Sequence, residues 1–396
     1  MNPLFDTLVT RKGSSCVKWD AQPPVKVEGD VIPLWVADMD FPAAPCIRRA
    51  LEKRVAHGVF GYVAVPRSWY ECVARWFSQR HGWPFAPESL LYTTGVVPAL
   101  SAVIKALTRP GDKVVMATPV YNCFFSSIRN NGCEASCSPL REVPGPSYAF
   151  DFEDIERRCA DPRAAVLLLC NPHNPAGRVW TRAELERVAD IARRTGTLVV
   201  SDEIHCEIVR PGLRYVPMGS VDPENTVTLL SPSKSFNIAG LQMAGIVTDS
   251  ADRRKAIDRA ININEICDVN PFGPVAGEAA YSDEGAAWLE ALNAYIWEND
   301  TLLRERFAKE LPEFPVFALE GTYLDWVDCR CLKMRSEEIE NALLAREKVW
   351  VNAGAMYGTD GFVRVNLATP RALLSEGLDR LVLGLRALAD EQASSR

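Results

Sequence analysis

The sequence has no apolar run of the length that a membrane span needs, and its first thirty residues lack the apolar core of a secretion signal. It also lacks an excess of positive charge, because 44 lysines and arginines face 51 acidic residues and leave a net charge of −7. We find no basic stripe, internal repeat or low-complexity linker. These absences predict a cytoplasmic protein that does not bind a membrane and does not have nucleic acid as a main partner.

The sequence offers little that could hold a metal ion or form a disulfide framework. Its twelve cysteines are scattered, and several, such as Cys72 and Cys170, lie in apolar helical or strand patterns. This distribution is typical of free thiols in a reducing compartment. The close pair Cys329 and Cys331 has neither a second pair nor histidines nearby, so we expect no metal site.

The order of helical and strand patterns indicates the fold class. Hydrophobic residues make up 47% of the 396 residues, enough for a large core and two domains. Helical patterns alternate with short apolar strands through the middle of the chain, which predicts βαβ units and a mostly parallel sheet, hence an α/β fold. We expect helices at 98–108, 181–195 and 253–263, and strands at 113–117, 165–170, 198–201, 227–230 and 244–248.

The last part of the sequence predicts a second, smaller α/β unit. A long helical pattern at 278–309 places Trp288, Leu292 and Ile296 on one face, and we expect it to carry the chain out of the larger unit. After it, strand patterns occur at 322–327, 349–352 and 362–367.

Polar side chains follow three successive strand patterns. Asn174 lies in the loop after the first, Asp202 ends the second, and Lys234 follows the third. Ligands of open parallel sheets bind beyond the carboxyl ends of the strands. We therefore expect an amide, a carboxylate and an amine to face one crevice.

These groups suit pyridoxal phosphate (PLP). Lys234, beside the hydroxyls of Ser231 and Ser233, could form a Schiff base next to a bound phosphate ester. Asp202 would keep the pyridine nitrogen protonated and so make the ring an electron sink, while Asn174 would donate to the phenolic oxygen. Each residue alone has an ordinary interpretation, such as a loop lysine or a helix-capping aspartate. The three in this order predict a PLP site.

With these three residues, the sequence resembles a known family, the fold-type-I PLP enzymes of the class I/II aminotransferase group. Within that group it resembles the MalY/PatB-type C–S lyases (cystathionine β-lyase-like). Most aminotransferases carry tyrosine at the position of His205, which separates them from this subgroup. The resemblance spans nearly the whole chain and rests on the segments at 18–20, 33–42, 57–62, 80–83, 95–100, 202–205, 233–241 and 362–371.

The resemblance implies a large PLP-binding domain at 46–285, with a mostly parallel seven-stranded sheet between helices. It also implies a small C-terminal α/β domain at 286–396, and an N-terminal segment at 1–45 that packs with the small domain. The family further implies a homodimer in which Tyr62 reaches the PLP phosphate of the neighbouring subunit. An intrachain core loop is the alternative for the segment around Tyr62.

Further cofactor contacts are expected from the start of a helix and from two residues that follow strands. Gly95, Val96 and Val97 precede a helical pattern, and free N–H groups at a helix N-terminus can hold a phosphate; an ordinary turn into the helix is the alternative. Tyr121 follows a strand and would stack on the pyridine face, unless it is a core tyrosine. His205 could donate to the phenolic oxygen or could be a core histidine.

The substrate contacts are expected from the small domain and the N-terminal segment. Arg364 lies in an apolar strand, where an unpaired guanidinium would be costly, so it should meet an anion. The family uses this arginine for the substrate α-carboxylate; a structural salt bridge is the alternative. Ala37 would belong to an apolar wall. The segment 352–358 departs from the Pro-Gly turn of many relatives, which puts the shape of the pocket wall in question.

The resemblance implies β-elimination at the C–S bond of cystathionine or a cysteine-type thioether, giving a thiol, pyruvate and ammonia. An aminotransferase that acts on a small amino acid with an oxo-acid acceptor is the main alternative, because both reactions share their early steps. A PLP-binding regulator without catalysis is a third interpretation, and the presence of both Lys234 and Asp202 argues against it.

Overall fold

The computed structural model describes residues 4–263 and 269–394. In these ranges the α-helices are α1 (Val17–Asp20), α2 (Pro45–Ala56), α3 (Arg67–His81), α4 (Val96–Leu107), α5 (Cys123–Asn130), α6 (Phe152–Cys159), α7 (Arg182–Thr195), α8 (Ala251–Asn262), α9 (Gly273–Ala280), α10 (Asp283–Glu310), α11 (Ser336–Glu347) and α12 (Arg371–Ser394). The strands are β1 (Ile32–Pro33), β2 (Leu90–Thr93), β3 (Lys113–Thr118), β4 (Glu134–Pro139), β5 (Arg141–Val143), β6 (Ser147–Ala149), β7 (Ala164–Cys170), β8 (Leu198–Asp202), β9 (Thr226–Leu230), β10 (Ala244–Val247), β11 (Leu324–Asp328), β12 (Val349–Trp350), β13 (Asn352–Ala353) and β14 (Phe362–Asn366).

Seven strands form the central sheet in the order β2-β10-β9-β8-β7-β3-β4. The neighbours from β9 to β4 are parallel, and β10 runs antiparallel to both β9 and β2. This confirms the predicted α/β fold with a mostly parallel sheet of seven strands. Asp202 is in register with Cys170 on one side and Leu229 on the other, so the three polar strand ends adjoin.

The helices pack on the sheet through one apolar face, as α7 shows. Its buried residues are Leu185, Val188, Ala189, Ile191 and Ala192, a spacing of three and four that puts them on one side. Thr181 and Glu184 form a capping box at its start, which satisfies backbone N–H groups that the helix itself leaves free. The predicted helix at 181–195 is thus confirmed, with Thr181 as its cap.

The helical pattern at 278–309 was predicted as one helix, and this is wrong. The chain forms α9 and α10, which are separated at Tyr281 and Ser282. Ser282 Oγ accepts a hydrogen bond from the Gly285 N–H at 3.1 Å and starts the second helix. A side chain at Gly285 would lie 2.0 Å from the Ala280 carbonyl oxygen, so the tight corner needs glycine. Periodicity continues across the corner because both helices face the same core.

The predicted strand at 349–352 is also divided. β12 pairs with β1 in a small parallel sheet, while β13 pairs with β14 in an antiparallel sheet that also contains β11. The chain changes sheets at the buried Val351. In β14, Val363 and Val365 face the core of this region, and Arg364 lies between them on the opposite face.

The N-terminal segment contacts both parts of the molecule. Leu34 belongs to the apolar cluster of β11, β14 and α12, whereas Phe5 and Phe41 pack with Trp288 and Tyr295 of α10. The domain boundaries at 45 and 285 stay a prediction. No helix in the described ranges is both long enough and apolar enough to cross a bilayer.

Candidate active site

A cavity of about 380 Å³ lies at the carboxyl ends of β7, β8 and β9, where β14 faces the central sheet. It collects eleven of the thirteen predicted site residues. They are Ala37, Gly95, Val96, Val97, Tyr121, Asn174, Asp202, His205, Ser233, Lys234 and Arg364.

Lys234 and Asp202 reach the cavity from adjacent strand ends. Lys234 follows β9, and its amine donates to the Ala37 carbonyl at 2.5 Å. Burial and the nearby Arg364 lower the pKa of Lys234 to about 8, although Asp38 and Asp202 act in the opposite direction. Burial raises the pKa of Asp202 to about 6, with opposing contributions from the Ile204 N–H and from Lys234. The cavity therefore holds an amine that loses its proton readily and a carboxylate that is ionised at neutral pH.

Arg364 connects β14 to the loop after β7 and to the N-terminal segment. Its guanidinium donates to Asn174 Oδ1 at 3.1 Å and to the Trp35 carbonyl at 2.9 Å. The guanidinium also lies 4.8 Å above the Tyr357 ring, a cation–π arrangement. Its Nε is buried and has no hydrogen-bond partner among the described residues. The hydrogen-bond partners of Arg364 are neutral groups, so its positive charge is available to an anion in the cavity.

The N-terminus of α4 lies at the cavity wall. The helix begins at Val96, two residues before the predicted start at Pro98, and follows Gly95. Its N-cap residue is Gly95, which has no side chain, and no other side chain in the described ranges caps the N–H groups of the first turn. The predicted phosphate-binding geometry at Gly95–Val97 is therefore available.

The two serines before Lys234 differ in position. Ser233 lines the cavity, whereas Ser231 does not. The Ser231 hydroxyl lies 2.7 Å from the Met243 carbonyl and 2.8 Å from Ser233 Oγ. Ser231 thus braces Ser233, and its own contact with a cofactor stays a prediction.

Tyr121 and His205 face the cavity from two sides. Burial raises the pKa of the Tyr121 hydroxyl, so this group keeps its proton. Burial, Lys234 and Arg364 lower the pKa of His205 far below 6.5, so the imidazole is neutral. Among the described residues His205 Nδ1 has no hydrogen-bond partner, and the ring contacts Tyr323 edge-on at 5.8 Å. His173, which does not line the cavity, also has an unpaired Nδ1. The place of His205 in the cavity wall, and not the unpaired nitrogen, therefore favours a role in the cavity.

Tyr62, like Ser231, is a predicted site residue that does not line the cavity. Its side chain is 93% exposed, and Phe60 and Val59 beside it are also exposed. The loop is therefore not an intrachain core loop.

Two residues of the cavity wall were not predicted from the sequence. Asn352 and Tyr357 line the cavity, and the only sequence feature that pointed to them was that their segment departs from the family pattern.

Glu203, next to Asp202, was also not predicted to have a role. It is fully buried and accepts hydrogen bonds from Ser201 Oγ at 2.7 Å, the Met218 N–H at 2.8 Å and the Tyr215 hydroxyl. Burial raises the pKa of Glu203 to about 7, and its contacts fix the end of β8.

Comparison with known proteins shows the family. The family model Aminotransferase class I and II matches residues 29–381, and the chain belongs to this family. It is 38% identical to "Cystathionine beta-lyase PatB" of Bacillus subtilis over 386 residues, which are 96% of this chain and 99% of that protein. It is 34% identical to "Protein MalY" of Escherichia coli, with 97% of this chain and 99% of that protein covered.

A solved structure gives the same result for the fold. Cystalysin from Treponema denticola, whose crystal structure contains a pyridoxal 5'-phosphate cofactor, superposes with a TM-score of 0.93. It is 34% identical, and the match covers 97% of this chain and 99% of that chain. The predicted fold-type-I architecture and the predicted resemblance are confirmed.

Proposed function

We propose that this protein is a PLP-dependent carbon–sulfur lyase that acts on cystathionine or another cysteine-type thioether. The products are a thiol, pyruvate and ammonia. One observation carries the proposal: a single cavity holds the amine, carboxylate, amide and guanidinium that this chemistry needs. The near full-length similarity to a protein named cystathionine beta-lyase supports the choice of reaction.

The residues of the cavity fit PLP. The uncapped first turn of α4 suits the phosphate, and the Asp202 carboxylate suits a protonated pyridine nitrogen. Asn174 and His205 supply polar side chains to the same cavity, and Nδ1 of His205 is buried without a partner in the part of the chain that the structure describes. When bound, the cofactor withdraws electrons from the substrate Cα and so acidifies its C–H bond.

The side chains around the substrate would act in order. Arg364 would bind the α-carboxylate bidentately through its planar guanidinium, which lines the cavity and is bonded only to neutral partners. Lys234 would then take the proton from Cα, a task that suits an amine with a pKa of about 8. The Cβ–S bond would break with its electron pair on sulfur, and the proton that Lys234 took from Cα would pass to the sulfur, so that a thiol leaves. Water hydrolyses the remaining enamine to pyruvate and ammonia.

The pocket wall favours a thioether over an acidic side chain. Trp35, Val36 and Ala37 line the cavity on the side of the N-terminal segment. Among the described residues that line it, Arg364 is the only arginine. A transaminase for acidic substrates needs a second cation for the distal carboxylate, and Arg364 would already be occupied. The wall therefore supports a neutral, sulfur-containing side chain.

The reaction is tested by product analysis with cystathionine. We expect homocysteine, pyruvate and ammonia in equal amounts without any added oxo acid. The alternative is an aminotransferase, which the name of the matching family keeps open. Turnover that requires an oxo acid and conserves the amino group would replace the lyase proposal by this alternative.

The proposal includes a homodimer with shared sites. An apolar loop with a 93% exposed tyrosine is unusual in a monomer and suits close packing against a second copy. Mixed dimers from Lys234→Ala and Tyr62→Phe parents test this arrangement. If Tyr62 serves the neighbouring site, one hybrid site is wild type at both positions and activity partly recovers; proven mixing without recovery contradicts the idea.

A cytoplasmic location also belongs to the proposal. All cysteines in the described ranges are free, and six, including Cys170 and Cys206, are buried. Free thiols in this number suit a reducing compartment. Fractionation of the native host should recover the protein with the cytoplasmic enzymes.

A further inference from the structure

The segment 35–41, here called the strap, crosses one wall of the cavity without regular secondary structure. Its carbonyl groups are bound by side chains rather than by a neighbouring strand. The donors come from four parts of the chain, including the N-terminal segment, and each keeps the strap next to the site. They are Arg364 and Asn352 to Trp35 O, Asn366 to Val36 O, Asn366 and Lys18 to Asp38 O, Lys234 and Tyr323 to Ala37 O, Asn237 and Arg11 to Met39 O, and Asn237 to Phe41 O.

Two of these donors are the groups that meet the substrate. Arg364 holds the Trp35 carbonyl at 2.9 Å, and Lys234 holds the Ala37 carbonyl at 2.5 Å. Trp35 and Ala37 lie close together in the strap. One short segment therefore contacts both Arg364, the carboxylate-binding residue, and Lys234, the base. A shift of the strap would move both contacts together.

A buried charged cluster on the other side of the strap sets its position. The side chains of Lys18 and Asp40 are both 0% exposed and form an ion pair of 2.7 Å. Trp19 Nε1 donates to Asp40 at 2.8 Å, and Arg11 contacts Asp40 at 2.8 Å and Asp38 at 2.6 Å. Burial alone would raise the pKa of Asp40, but Lys18, Trp19 and Arg11 lower it below the usual value. The carboxylate is ionised and fully engaged.

We propose that Lys18, Asp40 and Arg11 form a positioning cluster for the active site, which fixes the strap and through it the contacts of Lys234 and Arg364. The cluster explains why two separate segments that carry the family resemblance, 18–20 and 33–42, occur together: they bind each other. Trp35 Nε1 closes the unit by donating to the Lys18 carbonyl at 3.1 Å. The proposal rests on the proposed function only for the roles of Lys234 and Arg364.

A buried ion pair can be removed in two ways that separate positioning from stability. Loss of one partner leaves a buried charge and destabilises the fold, whereas replacement of both by apolar residues is often tolerated. We would therefore compare Lys18→Met/Asp40→Leu with the milder Arg11→Gln, because Arg11 is partly exposed. Arg193→Gln is the matched control: it removes the arginine that pairs with the fully buried Asp222, and neither residue lines the cavity.

The test measures amide hydrogen exchange of residues 35–41 in the cofactor-loaded enzyme, together with kcat and KM for a thioether amino acid. In both cluster variants we expect faster exchange confined to the strap. We also expect kcat/KM to fall, on the order of 10- to 100-fold in the double variant, as for other small misplacements of catalytic groups. The Arg193→Gln control should change neither quantity, even where its thermal midpoint falls.

Unchanged strap exchange and kcat/KM within about twofold of wild type in the folded variants would overturn the proposal. If the double variant does not fold, Arg11→Gln decides by the same two measurements. Failure of the proposed function has a different signature: the wild-type enzyme itself would release no thiol, while the exchange experiment would still report on the cluster.

Discussion

The two sides of the cavity are built differently. Lys234, Asp202 and Asn174 come from the ends of neighbouring parallel strands, so the register of one sheet brings them together. Arg364 comes from β14, and its partners Asn174 and Trp35 are 190 and 329 residues away along the chain. The strand-end side is therefore fixed by the sheet itself, whereas the other side depends on how β14 and the strap pack against the strand ends. We expect the first side to govern the chemistry and the second to govern substrate binding.

The largest effect is expected from Lys234→Ala on the strand-end side. The variant loses the covalent attachment of the cofactor and the base for Cα. Activity should fall at least on the order of 1000-fold, as for the loss of a general base that is also the covalent anchor. Absorption spectra and the release of thiol measure the two losses. A Lys234→Ala variant with full activity contradicts the assignment of the site.

Asp202→Asn removes the charge opposite the pyridine nitrogen and keeps the shape. We expect some cofactor to remain bound, since the α4 N-terminus is intact. Turnover should fall roughly 100-fold or more, in the range seen when a preorganised electrostatic contact is lost. If kcat is unchanged while the substitution is confirmed, Asp202 has no electronic role.

The same carboxylate predicts a pH dependence of cofactor binding. Because burial raises the pKa of Asp202 to about 6 in the cofactor-free protein, its charge is lost as the pH falls through this value. A protonated pyridine nitrogen then loses its partner, so PLP should bind more weakly below about pH 6 than above it. Titration of the cofactor-free protein between pH 5 and 8, roughly the range around this pKa, checks the direction. Asp202→Asn should bind with a flatter profile.

Arg364→Lys tests the opposite side of the cavity. Lysine keeps the charge but loses the planar pair of N–H groups that recognises a carboxylate bidentately. We expect KM to rise and kcat/KM to fall on the order of 10- to 100-fold, with the cofactor spectrum unchanged. A change confined to kcat would place Arg364 with the strand-end residues and remove the distinction between the two sides.

The smallest effect is expected from His205→Asn. The neutral imidazole lines the cavity, and its buried Nδ1 has no partner among the described residues, so the ring can contribute one hydrogen bond. Loss of one such bond should lower activity less than about 10-fold. A shift in the absorption maximum of the bound cofactor would indicate contact with the cofactor; an unchanged spectrum with a lower thermal midpoint would indicate a core residue.

The strand-end side could be predicted from the sequence because its signals are local. An apolar run that stops in a polar residue reports both a buried strand and the group at its end, as Asp202 and Lys234 show. The break between α9 and α10 could not be predicted in this way, since the apolar pattern continues through the corner and only Ser282 and Gly285 mark it. The contacts of Arg364 with Trp35 and Asn174 join distant segments and leave no local pattern.

The most direct test of the account is the stoichiometry of cystathionine turnover by the cofactor-loaded enzyme, with and without an added oxo acid. If the protein is a C–S lyase, each homocysteine is accompanied by one pyruvate and one ammonia, and the oxo acid does not change the rate. The Lys234→Ala variant should show no turnover. Turnover that depends on the oxo acid, with the amino group recovered in its amino-acid product and no thiol released, would contradict the C–S lyase proposal.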